Sequence, residues 1–218
     1  MGHNSTLLKR KLVNRTRPIS SANNDDTTDP LTLFSRLYKE HLKASALELP
    51  GACCLSTVGL DGFPNARFVS LKEVKKEGLL ITGSTSSIKG IEIESSNKVA
   101  LTFWWPDIEY QVRIQGLANK IAGKLADKLF RERPLEARIV SLISRQSEEI
   151  SYPESLEKEL EAARINHEKK GVRRPESWGG YLIKPLRMEF LQFKSSRLHV
   201  RKFYQKHGKE WSFSFLQP

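Results

Sequence analysis

The chain has 218 residues, 39% apolar and 9% aromatic, with 36 Lys and Arg against 25 Asp and Glu, a formal net charge of +11. This composition excludes collagen-like and compositionally disordered classes and is long enough to bury a sizeable core. Its longest apolar runs, such as residues 99–105, stop far short of the roughly 20 residues a bilayer-spanning helix needs, so no transmembrane helix is expected.

Residues 1–28 are rich in Ser, Thr and Asn and carry five cations against Asp25 and Asp26, so they are expected to form a flexible arm. They hold no apolar stretch of the export-signal kind. The two cysteines, Cys53 and Cys54, are neighbours in a strand-like run and should point to opposite faces, which excludes a disulfide framework and fits a cytoplasmic location. Asp29 and Pro30 form a helix start, and Leu33, Phe34, Leu37, Tyr38 and Leu42 keep helical spacing to about Ala46. From Gly51, β-favouring runs at 52–58, 66–73 and 78–82, with a Gly59-Leu60-Asp61-Gly62 turn, predict an antiparallel meander. A short helix over 88–96, strands near 98–105 and 109–121, helices over 123–144 and 153–169, and strands near 179–191, 196–205 and 210–216 follow. Strands bracketing a helical insert argue for an α+β fold, one domain over 29–218 built on an antiparallel barrel with peripheral helices. Of Trp104 and Trp105, alternation places one in the core and the other at a surface or interface.

The five histidines form no metal-binding spacing, and neither a dinucleotide-binding glycine fingerprint, a P-loop nor a nucleophile elbow is present. No metal site is expected. The positive balance suits a nucleic acid, an anionic membrane surface or a small anionic ligand; no nucleic-acid recognition motif accompanies it. Gly83-Ser84-Thr85-Ser86-Ser87-Ile88-Lys89-Gly90 lies between a strand and a helix, where amides, hydroxyls and a lysine can converge on a phosphate. The same pattern also fits a solvated turn with an N-capping serine. Arg67 and Lys72 would face opposite sides of a regular strand, so a shared site needs a bulge or a ligand across the strand edge. Arg197, His199 and Arg201 alternate, which puts three basic groups on one strand face, either a site or a charge-protected edge.

Taken in order, Arg67 to Lys72, Lys89, Tyr110-Gln111-Val112, Arg133-Pro134, Ser144-Arg145-Gln146-Ser147, Ser177-Trp178-Gly179-Gly180-Tyr181 and Arg197-Leu198-His199 resemble the pyridoxine/pyridoxamine 5'-phosphate oxidase family of flavin enzymes. The resemblance implies a homodimer of split β-barrels with FMN in clefts between subunits. It assigns Arg67, Phe68, Val69, Ser70, Lys72, Thr82, Gly83, Lys89, Gln111, Gln146, Ser147 and Arg201 to FMN. It assigns Lys72, Arg133, Arg197 and His199 to a small aromatic or heteroaromatic substrate, with Arg197 and His199 as the catalytic pair, and dioxygen as electron acceptor yielding hydrogen peroxide. Departures from the family pattern fall at Leu129 and Ala137, where Tyr and Ser usually grip the substrate phosphate, and at Thr82-Gly83, Ile88 and Leu191 near the flavin. They turn the resemblance toward the phenazine-biosynthesis branch, whose members oxidise a dihydrophenazine carboxylate. Lys72 and Ser177 to Tyr181 look more like the vitamin B6 enzymes, which make pyridoxal 5'-phosphate.

Overall fold

The computed structural model describes residues 29–167 and 171–218; the arm expected over 1–28 lies outside them. Helix α1 (Pro30–Ala44) starts where the Asp29 carboxylate accepts from the amides of Leu31 and Thr32. Its apolar stripe buries Leu33, Phe34 and Leu37 against the barrel, with Phe34 edge-on to Phe103 at 5.0 Å between ring centroids. The meander follows as β1 (Ala52–Val58), β2 (Pro64–Lys75) and β3 (Gly78–Ser84). After α2 (Ile88–Ser95) come β4 (Lys98–Trp105) and β5 (Tyr110–Lys120). Helices α3 (Gly123–Arg131), α4 (Leu135–Ile143) and α5 (Glu154–His167) precede β6 (Trp178–Gln192), β7 (Val200–His207) and β8 (Glu210–Leu216).

The strands run β3-β2-β1-β4-β5-β6, and β6 pairs back onto β3, closing a six-stranded antiparallel barrel from which β7 and β8 extend as a sheet. Period-two alternation fills its interior: Val99, Leu101, Phe103 and Trp105 of β4 point inward while Trp104 stays 57% exposed and meets Phe193 edge-on. The fully buried core side chains, such as Leu55, Leu101, Phe103 and Ile114, each contribute about 1.5–3 kcal/mol by leaving water. A second cluster, with Leu80, Leu129, Phe130, Ile139 and Trp178, seats α3 and α4 beside β3 and the start of β6.

Two sequence expectations are corrected. The helical run over 123–144 is two helices, because Pro134 removes a backbone donor and pushes the residue before it out of helical geometry. That break places Arg133 between α3 and α4. The strand expected at 196–205 begins only at Val200, and Arg197 has left-handed backbone geometry with φ of 61°. Arg197 and His199 therefore lie in the approach to β7, and only Arg201 is part of the strand.

Candidate functional site

A cleft of about 650 Å³, a volume in the range of small-molecule sites, opens between β2, β3, the start of α2 and the α3–α4 insert. Its walls include Arg67, Phe68, Val69, Ser70, Lys72, Thr82, Gly83, Lys89, Arg133 and Gln146. Ten of the expected site residues thus meet in one place. No Asp or Glu is among the described residues lining it, so Arg67, Lys72, Lys89 and Arg133 reach a space whose walls carry no carboxylate.

The β2 backbone explains how Arg67 and Lys72 share it. The register against β3 shifts between Leu71 and Glu73, a bulge at Lys72 that breaks the alternation and turns both side chains toward the cleft. Behind Arg67 stands Glu92 of α2, only 2% exposed. Its carboxylate accepts from Thr57 Oγ1 at 2.5 Å, from Asn65 Nδ2 and from Arg67 Nη2 at 3.0 Å, while Arg67 Nη1 also donates to the Thr57 hydroxyl. Burial pushes the Glu92 carboxyl up, yet the Thr57 and Asn65 bonds and the Arg67 charge outweigh it and hold the group below its ordinary range. A glutamate on a short helix reads by default as a solvent-facing charge, and the sequence pattern offered no signal for this one.

Lys89 enters from the first turn of α2. Its Nζ donates to Ser87 Oγ at 2.7 Å and to Gln146 Oε1 at 2.8 Å. Burial, and then the nearby Arg67 charge, lower it to about 8. The Ile88 amide donates to Ser147 Oγ at 3.3 Å, which brings Ser147 to the same helix start, where backbone amides lack helical partners. Gly90 is required here, since a Cβ would be driven into the Thr85 carbonyl. Arg133 lies over the Trp178 ring at 5.1 Å from its centroid, and burial lowers its guanidinium from the ordinary value.

The other expected residues are elsewhere in the chain. Gln111, Leu191 and Arg201 are register partners across β5, β6 and β7 and form one row. Arg201 donates twice to Glu189 Oε1, at 2.9 and 2.7 Å, and Arg113 Nη1 reaches the other oxygen at 3.4 Å. The Lys194 amide donates to His199 Nδ1 at 3.1 Å, so a neutral His199 carries its proton on Nε2. None of Gln111, Leu191 and Arg201 is among the described residues lining the cleft. Three non-glycine residues among those described have positive φ, and two are expected site residues, Ser147 at 82° and Arg197 at 61°; strained backbone of this kind gathers at functional sites.

A closed antiparallel barrel flanked by a cationic cleft, with a helix start at its edge and no carboxylate among the described residues lining it, defines a split-barrel protein whose cleft suits an anionic ligand. The pyridoxamine 5'-phosphate oxidase family model matches residues 39–167, and the pyridoxine 5'-phosphate oxidase C-terminal dimerisation region matches residues 178–218. The chain belongs to the pyridoxamine 5'-phosphate oxidase family. It is 38% identical over 206 residues to the pyridoxine/pyridoxamine 5'-phosphate oxidase of Leptospira biflexa serovar Patoc, covering 94% of this chain and 97% of that one. The enzyme of the same name from Thermosynechococcus vestitus is 40% identical over 194 residues, covering 89% and 91%. Among solved structures, PhzG from Burkholderia lata 383 in complex with tetrahydrophenazine-1-carboxylic acid matches with a TM-score of 0.83 at 28% identity, over 89% of this chain and 95% of that one. A pyridoxamine 5'-phosphate oxidase-related, FMN-binding protein from Nostoc punctiforme shares the fold, with a TM-score of 0.71 at 16% identity over 88% and 100%.

Proposed function

We propose that residues 29–218 form an FMN-dependent oxidase that works as a homodimer and takes a dihydrophenazine-type heteroaromatic carboxylate as substrate. The observation that carries the substrate reading is Leu129, a buried apolar side chain in the cleft wall beside Arg133, where the family pattern holds a hydroxyl that grips phosphate. The structure of PhzG with a tetrahydrophenazine carboxylic acid supports the same class.

The cleft fits FMN on its own chemistry. Arg67 and Lys89, beside the helix start of α2, would hold the phosphate by charge-assisted bonds, and the lowered Lys89 is the mark of a cation lacking an anion. FMN held there would supply a hydride acceptor that dioxygen could reoxidise, giving hydrogen peroxide. Gln146 and Ser147 would orient the cofactor from the same chain. Gln111, Arg201, Arg197 and His199 are not among the described residues lining the cleft, and the last three lie in the segment matching the dimerisation region; a second copy would supply them. There Arg197 would position the reacting carbon, and His199 would present its Nε2 proton across the substrate.

A second reading, oxidation of pyridoxine or pyridoxamine 5'-phosphate, is favoured by the 38–40% identity to enzymes of that name and by Lys72 in the cleft wall. The flavin absorption spectrum of the FMN-loaded protein under anaerobic conditions separates the two. Bleaching by a dihydrophenazine carboxylate but not by pyridoxine 5'-phosphate supports the first reading. Rapid bleaching by pyridoxine 5'-phosphate overturns it.

A further inference from the structure

Arg133 is a half-buried guanidinium whose side chain, among the described residues, is hydrogen-bonded to a hydroxyl and not to a carboxylate. Its Nη1 donates to Ser141 Oγ at 2.5 Å, and the Ser141 hydroxyl donates in turn to the Ala137 carbonyl, one turn back on α4, at 2.9 Å. The serine proton is therefore committed to the helix, and its lone pair to the arginine. On another side the guanidinium rests on Trp178, which is itself braced edge-on by Phe130 at 5.0 Å. The family pattern expects a hydroxyl at position 137 to grip the substrate anion itself. Here position 137 is alanine and the hydroxyl stands at 141, where it holds the arginine instead.

We propose that Ser141 is a specificity-determining positioning residue: with Trp178 it fixes Arg133 as a two-pronged subsite for a planar carboxylate in place of a phosphate grip. The inference rests on the oxidase reading above and names the feature of this chain that selects the acid. A guanidinium fork matches two coplanar carboxylate oxygens. A tetrahedral phosphate calls on further donors; Lys72 remains in the cleft wall, but Leu129 and Ala137 provide none. A half-buried cation without a counter-charge is costly, so a ligand anion reaching it offsets desolvation already incurred.

The test measures binding to the FMN-loaded protein by calorimetry, with phenazine-1-carboxylate, with phenazine, which lacks the carboxylate, and with FMN titrated separately. Wild type is expected to prefer the carboxylate by about tenfold or more, as an arginine-carboxylate pair allows. Ser141→Ala should lose most of that preference with phenazine and FMN binding unchanged, and Ser141→Thr, which keeps the hydroxyl, should retain it. An undiminished preference in Ser141→Ala overturns the role of Ser141 and leaves the substrate reading standing. Parallel loss of phenazine and FMN binding also overturns it, because a merely structural residue behaves that way. If wild type itself shows no preference for the carboxylate, the subsite and the substrate reading fall together.

Discussion

Glu92 offers the most direct test of how the cleft is built. Replacing it by Ala removes the acceptor shared by Thr57, Asn65 and Arg67. Breaking a buried ion pair by deleting one partner costs about 3–5 kcal/mol. The Arg67 side chain is 25% exposed, so water can take up part of its lost partner, and the lower end, about 3 kcal/mol, is expected. At roughly 2–4 °C per kcal/mol for a chain of this size, Tm should fall by about 6–12 °C. Glu92→Gln keeps the shape but sets an amide N–H2 against donors, so about 2 kcal/mol should be lost. FMN should bind at least about tenfold more weakly to both variants, since Arg67 is no longer held against the cleft wall. The pH dependence has a definite sign. Because the folded carboxyl lies below its ordinary value of 4.5, its stabilisation is fully present above that value and is lost as the pH falls through the lowered folded one. The Tm gap between wild type and Glu92→Gln should therefore be constant from neutral pH down to 4.5 and close only below it. Thermal melts across pH, with flavin-fluorescence titrations at neutral pH, read both effects. A Glu92→Gln protein that melts within about 2 °C of wild type, less than 1 kcal/mol, and keeps its FMN affinity would refute the reasoning.

Lys89 of the cofactor-free protein loses its proton as the pH rises through about 8, so FMN affinity should weaken by about tenfold between pH 7 and 9; Lys89→Met should bind weakly at both, as flavin fluorescence will report. Leu129→Tyr with Ala137→Ser should raise kcat/KM for pyridoxine 5'-phosphate by about tenfold, the value of one or two added hydrogen bonds; no gain in a coupled peroxide assay would place the phosphate preference elsewhere. Arg197→Ala should abolish turnover while FMN stays bound, and loss of FMN would move Arg197 to the cofactor site. With φ of 61° at this position, Arg197→Gly should melt higher than Arg197→Ala by about 2–4 °C, the relief of roughly 1 kcal/mol of left-handed strain.

Most strands were legible because alternation and turn residues agree: the runs at 52–58, 98–105 and 210–216 have the boundaries seen in β1, β4 and β8. The closure of β6 onto β3 was not, since pairing between residues a hundred positions apart leaves no local mark. The condition that Arg67 and Lys72 need a bulge to share a site followed from strand geometry alone, and the register shift at Lys72 supplies one. The same geometry misled at Arg197 and His199. Alternate basic residues suggested a strand face, but the left-handed backbone at Arg197 is set by the turn after β6, which side-chain spacing does not encode. Ser141 and Glu92 escaped notice for a common reason. Each acts on an arginine named from the sequence, and a partner that positions another side chain is visible only once distant elements are packed together.

The arrangement also accounts for why so few of the expected residues are mutually satisfied within one chain. Arg67, Lys72, Lys89 and Arg133 line a cleft whose walls carry no carboxylate, while Arg201, which does not line it, is paired to Glu189 of β6. Arg67 is braced from behind by Glu92, whereas Lys89 and Arg133 are partly buried, and that burial disfavours their charge until an anion arrives. Arg201 is held in place by its own counter-charge and is presented on the segment that matches a dimerisation region. On the proposed reading, this division assigns the energetic roles: the cleft gains from the cofactor's phosphate, and the sheet face arrives with its geometry already fixed, needing no rearrangement when a second copy docks. On the same reading, a site divided this way would have no complete catalytic constellation in a lone chain, which would tie flavin chemistry to the assembled pair.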